Sequence, residues 1–493
     1  MRFNLFKVCL LLALTGAIAY AATRRSVQAR YARLVFLAKD RIAQLGQPAI
    51  VPLEAAIREG VAFEKVPLPD TRDRYSGVCL GPDGKLYATT LDGRIRRFTI
   101  GEDGTLQAPE ELFALQDAYE TRTNRLTIGL AFDPAATADS LVAWVTHQTY
   151  TFYNGPDWDG TVSRLSGPQL EHVQHVVIHL PRSAGDHLTN SVAFGPDGAL
   201  YIAQGSNTAM GSPDESWAFR EEHLLSAAIL RLDPTRLTNV SLPLDVKTSE
   251  GGTYDPYAAT APLTIYASGL RNAYDLVWHS NGHLYVPVNG AAADGHTPAS
   301  EAGALRMDGR TYEGPAVPAL SHVMQVQNDY LVRVDSGGYY GHPNPRRGEF
   351  VMNGGNPTDD PDPAQVDQYP VGTQPDPNWR GFAFQFPIHN SPNGLVEYRS
   401  GAFHGALQGK LLVTRFVNQD LMILEPGGST LDIVRASEGA TVPGLTDFSL
   451  PIDVAEDVTT GNLYVAEFGG DGQITLLRPR PDGNPEAVVQ RQR

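Results

Sequence analysis

Asp186-His187-Leu-Thr-Asn-Ser-Val-Ala-Phe194-Gly-Pro-Asp-Gly198-Ala-Leu-Tyr201-Ile-Ala-Gln-Gly205 carries both the architecture of this chain and its first candidate for chemistry. Phe194 ends a short apolar run, Gly195-Pro196-Asp197-Gly198 is strong turn chemistry, and Leu200-Tyr201-Ile202 opens a second strand. A histidine just before the first strand of such a unit is placed to reach a cleft shared with neighbouring units.

The same strand–turn–strand cassette recurs. Leu80-Gly-Pro-Asp-Gly84-Lys-Leu-Tyr87, His279-Ser-Asn-Gly282-His-Leu-Tyr285 and Asp457-Val-Thr-Thr-Gly461-Asn-Leu-Tyr464 are close copies. Phe132-Asp-Pro134 running into Leu141-Val-Ala-Trp144, and Leu407-Gln-Gly409-Lys-Leu-Leu412, are weaker ones. Each sets a turn glycine or proline before β-prone apolar residues, which is hairpin punctuation. Six antiparallel units of this kind predict an all-β, six-bladed β-propeller over residues 61–480, with its functional loops at one end of a central channel. The wide gap between Gly282 and Gly409 requires inserted loops. Residues 344–380, rich in Pro and Asp, read as an irregular insertion whose aspartates lack a regular cation-ligand spacing.

Composition narrows the function. With a net charge of −16 the chain lacks the basic stripe of a nucleic-acid binder. A hydrophobic content of 42 % suffices for a large core, and 48 glycines with 36 prolines suit tight turns better than long helices. Arg2 and Lys7 precede an apolar run from Val8 to Ala22, ending near Ala19-Tyr20-Ala21, so residues 1–22 read as a signal peptide or an uncleaved membrane anchor. The expectation is export, periplasmic or extracellular, with a possible membrane tether through the N-terminus. Residues 23–60 read as a short helical extension, and residues 481–493 as a polar tail. Cys79, left alone once Cys9 is cleaved away, reads as a small buried apolar residue.

No P-loop, HExxH, CxxC pair or Gly-x-Ser-x-Gly elbow occurs. The remaining candidates are polar residues at strand boundaries. Asp186-His187 pairs a base with a carboxylate that favours proton capture, although a histidine at a loop–strand junction also serves structure. Arg271-Asn272, after a Ser-Gly turn, offers a cation for a carboxylate or an oxyanion, or a surface ion pair. Gly290, Ala291 and Asp294 offer carbonyls and one carboxylate compatible with calcium.

Taken in order, these pieces resemble the glucose/sorbosone dehydrogenase family of soluble quinoprotein sugar dehydrogenases. Leu126-Thr-Ile-Gly129-Leu-Ala-Phe132-Asp-Pro134, Asp186-His187 before Phe194, Gly269-Leu-Arg271-Asn272, Gly337-Gly-Tyr-Tyr340-Gly-His-Pro343 and Ser391-Pro-Asn-Gly394-Leu-Val-Glu-Tyr398 carry the likeness, from about residue 66 to 478. The resemblance implies a six-bladed propeller that oxidises a small-molecule sugar or alcohol by hydride transfer to pyrroloquinoline quinone, with calcium beside it. His187 would take the hydroxyl proton, Asp186 would tune it, and Arg271 would stabilise charge on the quinone. Arg271 and Asn272 would contact the cofactor, Asn124 the sugar. The chain departs from the pattern near its end. Leu450-Pro451-Ile452-Asp453-Val454 stands where two cofactor-binding arginines are usual, and Arg415, the cation nearest the place of a missing lysine, would be the replacement contact to the cofactor. Two other readings follow from those losses and from the fold. One is a ligand- or partner-binding propeller that has lost the quinone; the other, on fold analogy alone, is a calcium-dependent lactonase.

Overall fold

The computed structural model describes residues 51–55, 60–360, 362 and 364–480. The signal segment, nearly all of the helical extension and the polar tail lie outside those residues. Among the described residues no helix is long and apolar enough to cross a membrane.

The described chain is a six-bladed propeller of four-stranded antiparallel sheets, two of which gain a short parallel strand at one edge. The first blade runs Tyr75–Leu80, Leu86–Thr90, Ile95–Phe98 and Glu110–Leu112. The second runs Arg125–Phe132, Val142–Thr149, Trp158–Ser166 and His172–Pro181, and the third Thr189–Phe194, Leu200–Gln204, Ala228–Leu232 and Leu263–Ser268. The fourth holds the shortest strands, Val277–Trp278 and Phe384–Gln385 flanking Leu284–Val288 and Tyr330–Val334. The fifth runs Pro392–Tyr398, Lys410–Arg415, Asp420–Gly427 and Asp432–Ser437. Val51–Pro52, within the stretch read as helical, instead lies parallel to the outer strand of this fifth blade. The sixth takes Pro451–Asp457, Asn462–Glu467 and Gln473–Pro479 from the end of the chain and its outer strand, Phe63–Leu68, from the beginning. Phe63 pairs with Pro479 and Leu68 with Ile474, so this antiparallel clasp ties the start of the described chain to its end and closes the ring.

The recurring cassette has a definite physical job. Gly84, Gly198 and Gly282 sit at φ of 72°, 75° and 88°, the left-handed conformation in which a side chain is strained. Just before each, an Asp or Asn folds back on its own hairpin. Asp197 accepts from the Ala199 amide (3.2 Å) and from the Tyr201 hydroxyl (3.2 Å), and Asp83 does the same with Lys85 (3.3 Å) and Tyr87 (2.9 Å). Asn281 accepts from the His283 amide (3.0 Å) and donates to the Tyr285 hydroxyl (3.0 Å). The tyrosine can therefore be buried with its hydroxyl satisfied. The copy at Gly461 differs, because Tyr464 donates to the Gly104 carbonyl of the first blade instead (2.8 Å).

Each pair of neighbouring blades encloses its own apolar cluster. Leu200, Leu230 and Val162 fill one such seam, between the second and third blades, and Val286, Val332 and Ile229 fill the next. Fully burying such a side chain stabilises the fold by roughly 1.5–3 kcal/mol. Toward the axis the innermost strands come too close for side chains. A Cβ on Gly129 would lie 2.8 Å from the Asn190 carbonyl oxygen, and one on Gly394 would lie 2.4 Å from the Asp453 Cα. These contacts narrow the channel and draw the strand starts into a common mouth.

The long insertions fall inside the fourth blade. Gly295–Thr297 pairs with Leu320–Val323 as a small separate ribbon, and residues 335–383 are largely irregular apart from one short turn, Pro345–Arg347. The insertion still has a core: Phe350, Val351, Met352, Val366 and Tyr369 bury themselves with Val317, Leu320 and Val323 against Ala209 and Met210. It thereby walls one side of the mouth. Asp359 and Asp360 are exposed on its surface.

Candidate active site

His187 stands on the turn leading into the innermost strand of the third blade and is 3 % exposed. Its Nδ1 lies 2.9 Å from the Ser206 hydroxyl oxygen. That hydroxyl is 2.9 Å from the Thr208 carbonyl, which can only accept, so the serine gives its single proton there. Ser206 must then accept from His187, which places the ring proton on Nδ1. Nε2 is left as the lone-pair nitrogen, with no hydrogen-bond partner among the described residues. Burial holds the imidazole pKa well below its usual value, and the nearby Arg271 and His342 lower it further. The ring is a neutral base at neutral pH.

Arg271 reaches the same mouth from the crossover between the third and fourth blades. Its Nε donates to the Ala209 carbonyl (3.0 Å) and its Nη1 to the Gly290 carbonyl (3.1 Å). Burial lowers its pKa to about 10, against the opposing attraction of Asp186, Asp329, Glu222 and Asp214. It remains charged at neutral pH, and among the described residues no carboxylate is bonded to it. Asn272 accepts from Asn190 (3.0 Å), which also donates to the Ala273 carbonyl (2.7 Å), locking the starts of two innermost strands together.

Beneath this pair lies a buried polar floor. Glu222 accepts from the Thr208 hydroxyl (2.6 Å), the Thr208 amide (3.0 Å) and His342 Nε2 (2.9 Å), and Ser226 also donates to it. Burial alone would raise this carboxyl, yet His342 and the hydroxyl donors hold it at about 2. A fixed negative charge therefore sits near Arg271 without touching it. Above, the Trp217 indole lies 4.1 Å from the His187 ring, centroid to centroid and tilted by 36°, and 5.8 Å from the Arg271 guanidinium carbon.

The structure thus gathers His187, Arg271 and Asn272 at one mouth. Asp186 is exposed there and acts on Arg271 through space, while the group bonded to the histidine is Ser206. The other candidates fall differently. Arg415 is buried in the fifth blade, bonded through Nε (2.8 Å) and Nη2 (2.5 Å) to Asp420 and also to Asn390 and Glu438. Asn124 lies exposed and accepts from Gln116 (3.0 Å). The Gly290 carbonyl takes Arg271, the Ala291 carbonyl takes the Gln327 amide (2.9 Å), and Asp294 pairs at the surface with His322 (2.7 Å). Among the described residues no three His, Cys, Asp or Glu side chains cluster to hold a metal ion.

Sequence reasoning passed over Ser206, Trp217 and Glu222. All three lie in the connection between Leu200–Gln204 and Ala228–Leu232, which matches no cassette and shows no periodicity. His342 did lie within a recognised segment, the Gly337–Pro343 stretch, but its partner sits 120 residues earlier.

Comparison with solved structures places the fold. A glucose dehydrogenase-type oxidoreductase of Thermus thermophilus aligns over 85 % of this chain and 100 % of its own, with a TM-score of 0.51 and 22 % identity. The PQQ-bound aldose sugar dehydrogenase of Streptomyces coelicolor aligns over 87 % and 100 %, at 0.52 and 16 %. The soluble aldose sugar dehydrogenase of Escherichia coli, in its apo form, aligns over 85 % and 99 %, at 0.52 and 16 %. This is the fold of the sugar-dehydrogenase propellers. A family model described as strictosidine synthase-like, N-terminal, matches residues 77–98, which span most of the first blade's leading hairpin and its third strand. No curated protein matches the sequence.

Proposed function

We propose that the protein is a sugar or alcohol oxidoreductase in which His187 Nε2 takes the hydroxyl proton while the hydride on the carbon passes to a diffusible two-electron acceptor, for which a dye can stand in. The fixed tautomer carries this reading: a neutral imidazole with its lone pair unengaged stands beside an arginine that no carboxylate neutralises among the described residues. Arg271 would favour negative charge developing in the mouth. Ser206 holds the base in register, and the Glu222–His342 pair stiffens the floor. The likeness to sugar dehydrogenases supports a hydroxylated substrate of modest size.

The hydride acceptor that the likeness suggests is pyrroloquinoline quinone, a flat ring system with three carboxylates. In this arrangement the residues of the mouth do not fit it. The Trp217 indole occupies the space against His187, and the cavity on the Gly290 side of Arg271, about 30 Å³, is far too small for a fused ring system. Arg415 is committed to Asp420 and Glu438, and Asp186, Asp214, Glu222 and Asp329 make the surroundings of Arg271 anionic. The closed mouth therefore offers the quinone no seat, and the Gly290 and Ala291 carbonyls, already engaged by Arg271 and the Gln327 amide, offer none to calcium.

The test is reduction of an artificial acceptor dye by aldoses and simple alcohols, with and without added pyrroloquinoline quinone and calcium. Turnover is expected with at least one hydroxylated substrate. His187→Gln should lower it by roughly 10²–10⁴-fold, the usual reach of general base catalysis, with the thermal midpoint little changed. Turnover that survives this substitution removes His187 from the chemistry. No turnover under any condition leaves the second reading, a ligand-binding propeller, which the committed Arg415 and the covered mouth favour.

A further inference from the structure

The stretch that carries Trp217 is built unlike the rest of the mouth. Glu215–Trp217 forms a single short turn capped by Asp214, whose side chain accepts from the Trp217 amide (3.2 Å) and from the Ala209 amide (3.2 Å). The next two residues, Ala218 and Phe219, both adopt left-handed backbone, at φ of 56° and 53°. Neither is a glycine, so this backbone is held against its own preference. At the far end Arg220 ties the chain down through the Arg182 and Gly155 carbonyls (2.6 and 2.8 Å). Between these two anchors Glu215, Ser216, Ala218 and Phe219 are exposed, Phe219 to 67 %. The indole is the part of the segment that turns inward. It rests on His187, faces Arg271, and meets a backbone shaped to receive it: a Cβ on Gly185 would stand 3.2 Å from the indole.

We propose that residues 215–219 form a lid, and that Trp217 fills the position against His187 which the ring of a substrate or a planar acceptor must take. The lid is fastened by stacking rather than by ion pairs, and the strained backbone at Ala218 and Phe219 weighs against its closed state. Opening widens the approach to Nε2 and to the guanidinium of Arg271 together. The misfit of a planar cofactor thus belongs to the closed lid as well as to the scarcity of cations. This inference relies on the proposed function only for what the lid guards, because the covering of His187 is a matter of geometry.

Carbethoxylation of histidines by diethyl pyrocarbonate, followed peptide by peptide in the full-length protein, tests the lid without any reference to catalysis. His172, whose side chain is 75 % exposed, serves as the internal standard. In the wild type His187 should react at least about tenfold more slowly than His172, and in Trp217→Ala at least about tenfold faster than in the wild type, as expected when a local cover is removed. Trp217→Phe, which keeps a ring, should fall between them and guards against a folding defect in the alanine variant. Amide exchange should also be faster across residues 215–219 than across the neighbouring strand Ala228–Leu232. If His187 reacts as fast as His172 in the wild type, or if Trp217→Ala brings no acceleration, the lid is overturned. A protein that passes this test yet oxidises no sugar would refute the enzyme reading and leave the lid standing.

Discussion

His187 illustrates how much of an imidazole's character comes from the neighbour it is bonded to. One hydroxyl, Ser206, fixes the ring proton on Nδ1 because it must give its own proton to a carbonyl. The consequence is measurable in the pH dependence of turnover. An ordinary histidine base loses activity as pH falls through about 6.5, its unperturbed pKa. Here the pKa is held well below that value by burial and by Arg271, so the ring stays unprotonated further into acid. The acid limb of kcat/KM should lie below the ordinary histidine range, and Arg271→Gln should move it upward by removing the repelling charge. A limb centred at about 6.5 in the wild type, unmoved in the variant, would contradict this assignment. The residues that create the effect were only half legible: His187 and Arg271 announce themselves at strand boundaries, whereas Ser206 and Trp217 sit in a connection without pattern and are joined to the histidine by tertiary placement alone.

Among the strands, the cassette explains why so much of the fold could be read. In the copies at Gly84, Gly198 and Gly282 the Asp or Asn before the turn glycine is bonded to the tyrosine four residues on, so each of these encodes its own hairpin. Arg415 shows the opposite case. Its identity and position suggested a cofactor contact, but the strand Lys410–Arg415 pairs directly with Asp420–Gly427 and places Asp420 across from it. A guanidinium buried beside a carboxylate binds that carboxylate first, and sequence spacing cannot show which side of the strand faces the channel. Arg415→Ala should destabilise the protein by about 3–5 kcal/mol, the usual cost of leaving one member of a buried pair unpaired. Calorimetric melting would register this, while dye reduction at a temperature below the transition should change little. A large loss of activity without loss of stability would return Arg415 to the site.

Across the whole molecule, the axis holds a pair of carboxylates. Asp453 accepts from the Val78 amide (2.7 Å) and Asp275 from the Leu395 amide (2.8 Å), so each pins a neighbouring blade's innermost strand. Both line a cavity of about 230 Å³ along the channel. Burial raises both pKa values, and for Asp453 the charge of Asp275 adds to the rise. The sign follows: stability from the protonated pair is complete below the unfolded carboxylate pKa of roughly 4 and is lost as pH rises through the higher folded values. Asp275→Asn should therefore melt higher than the wild type at pH 7 and show a flatter dependence between pH of about 4 and 7. A parallel pair of melting curves across that range would dismiss the coupling. The number of blades was legible because it repeats; the axial pair was not, because its members stand far apart in the chain and share no motif.

The strand Phe63–Leu68 pairs with Gln473–Pro479, and this has a consequence for how the molecule is made. The first of the propeller's strands to leave the ribosome has no partner until nearly all the others have been synthesised. Throughout elongation it is an unpaired edge, open to any foreign strand it meets. Five blades can zip up locally behind it, each hairpin carrying its own instructions, but the circle stays open until the final hairpin arrives. Apart from the two-residue pairing of Val51–Pro52 with the fifth blade, synthesis order and ring order thus conflict at this seam, and it is where premature release of the nascent chain would do the most harm.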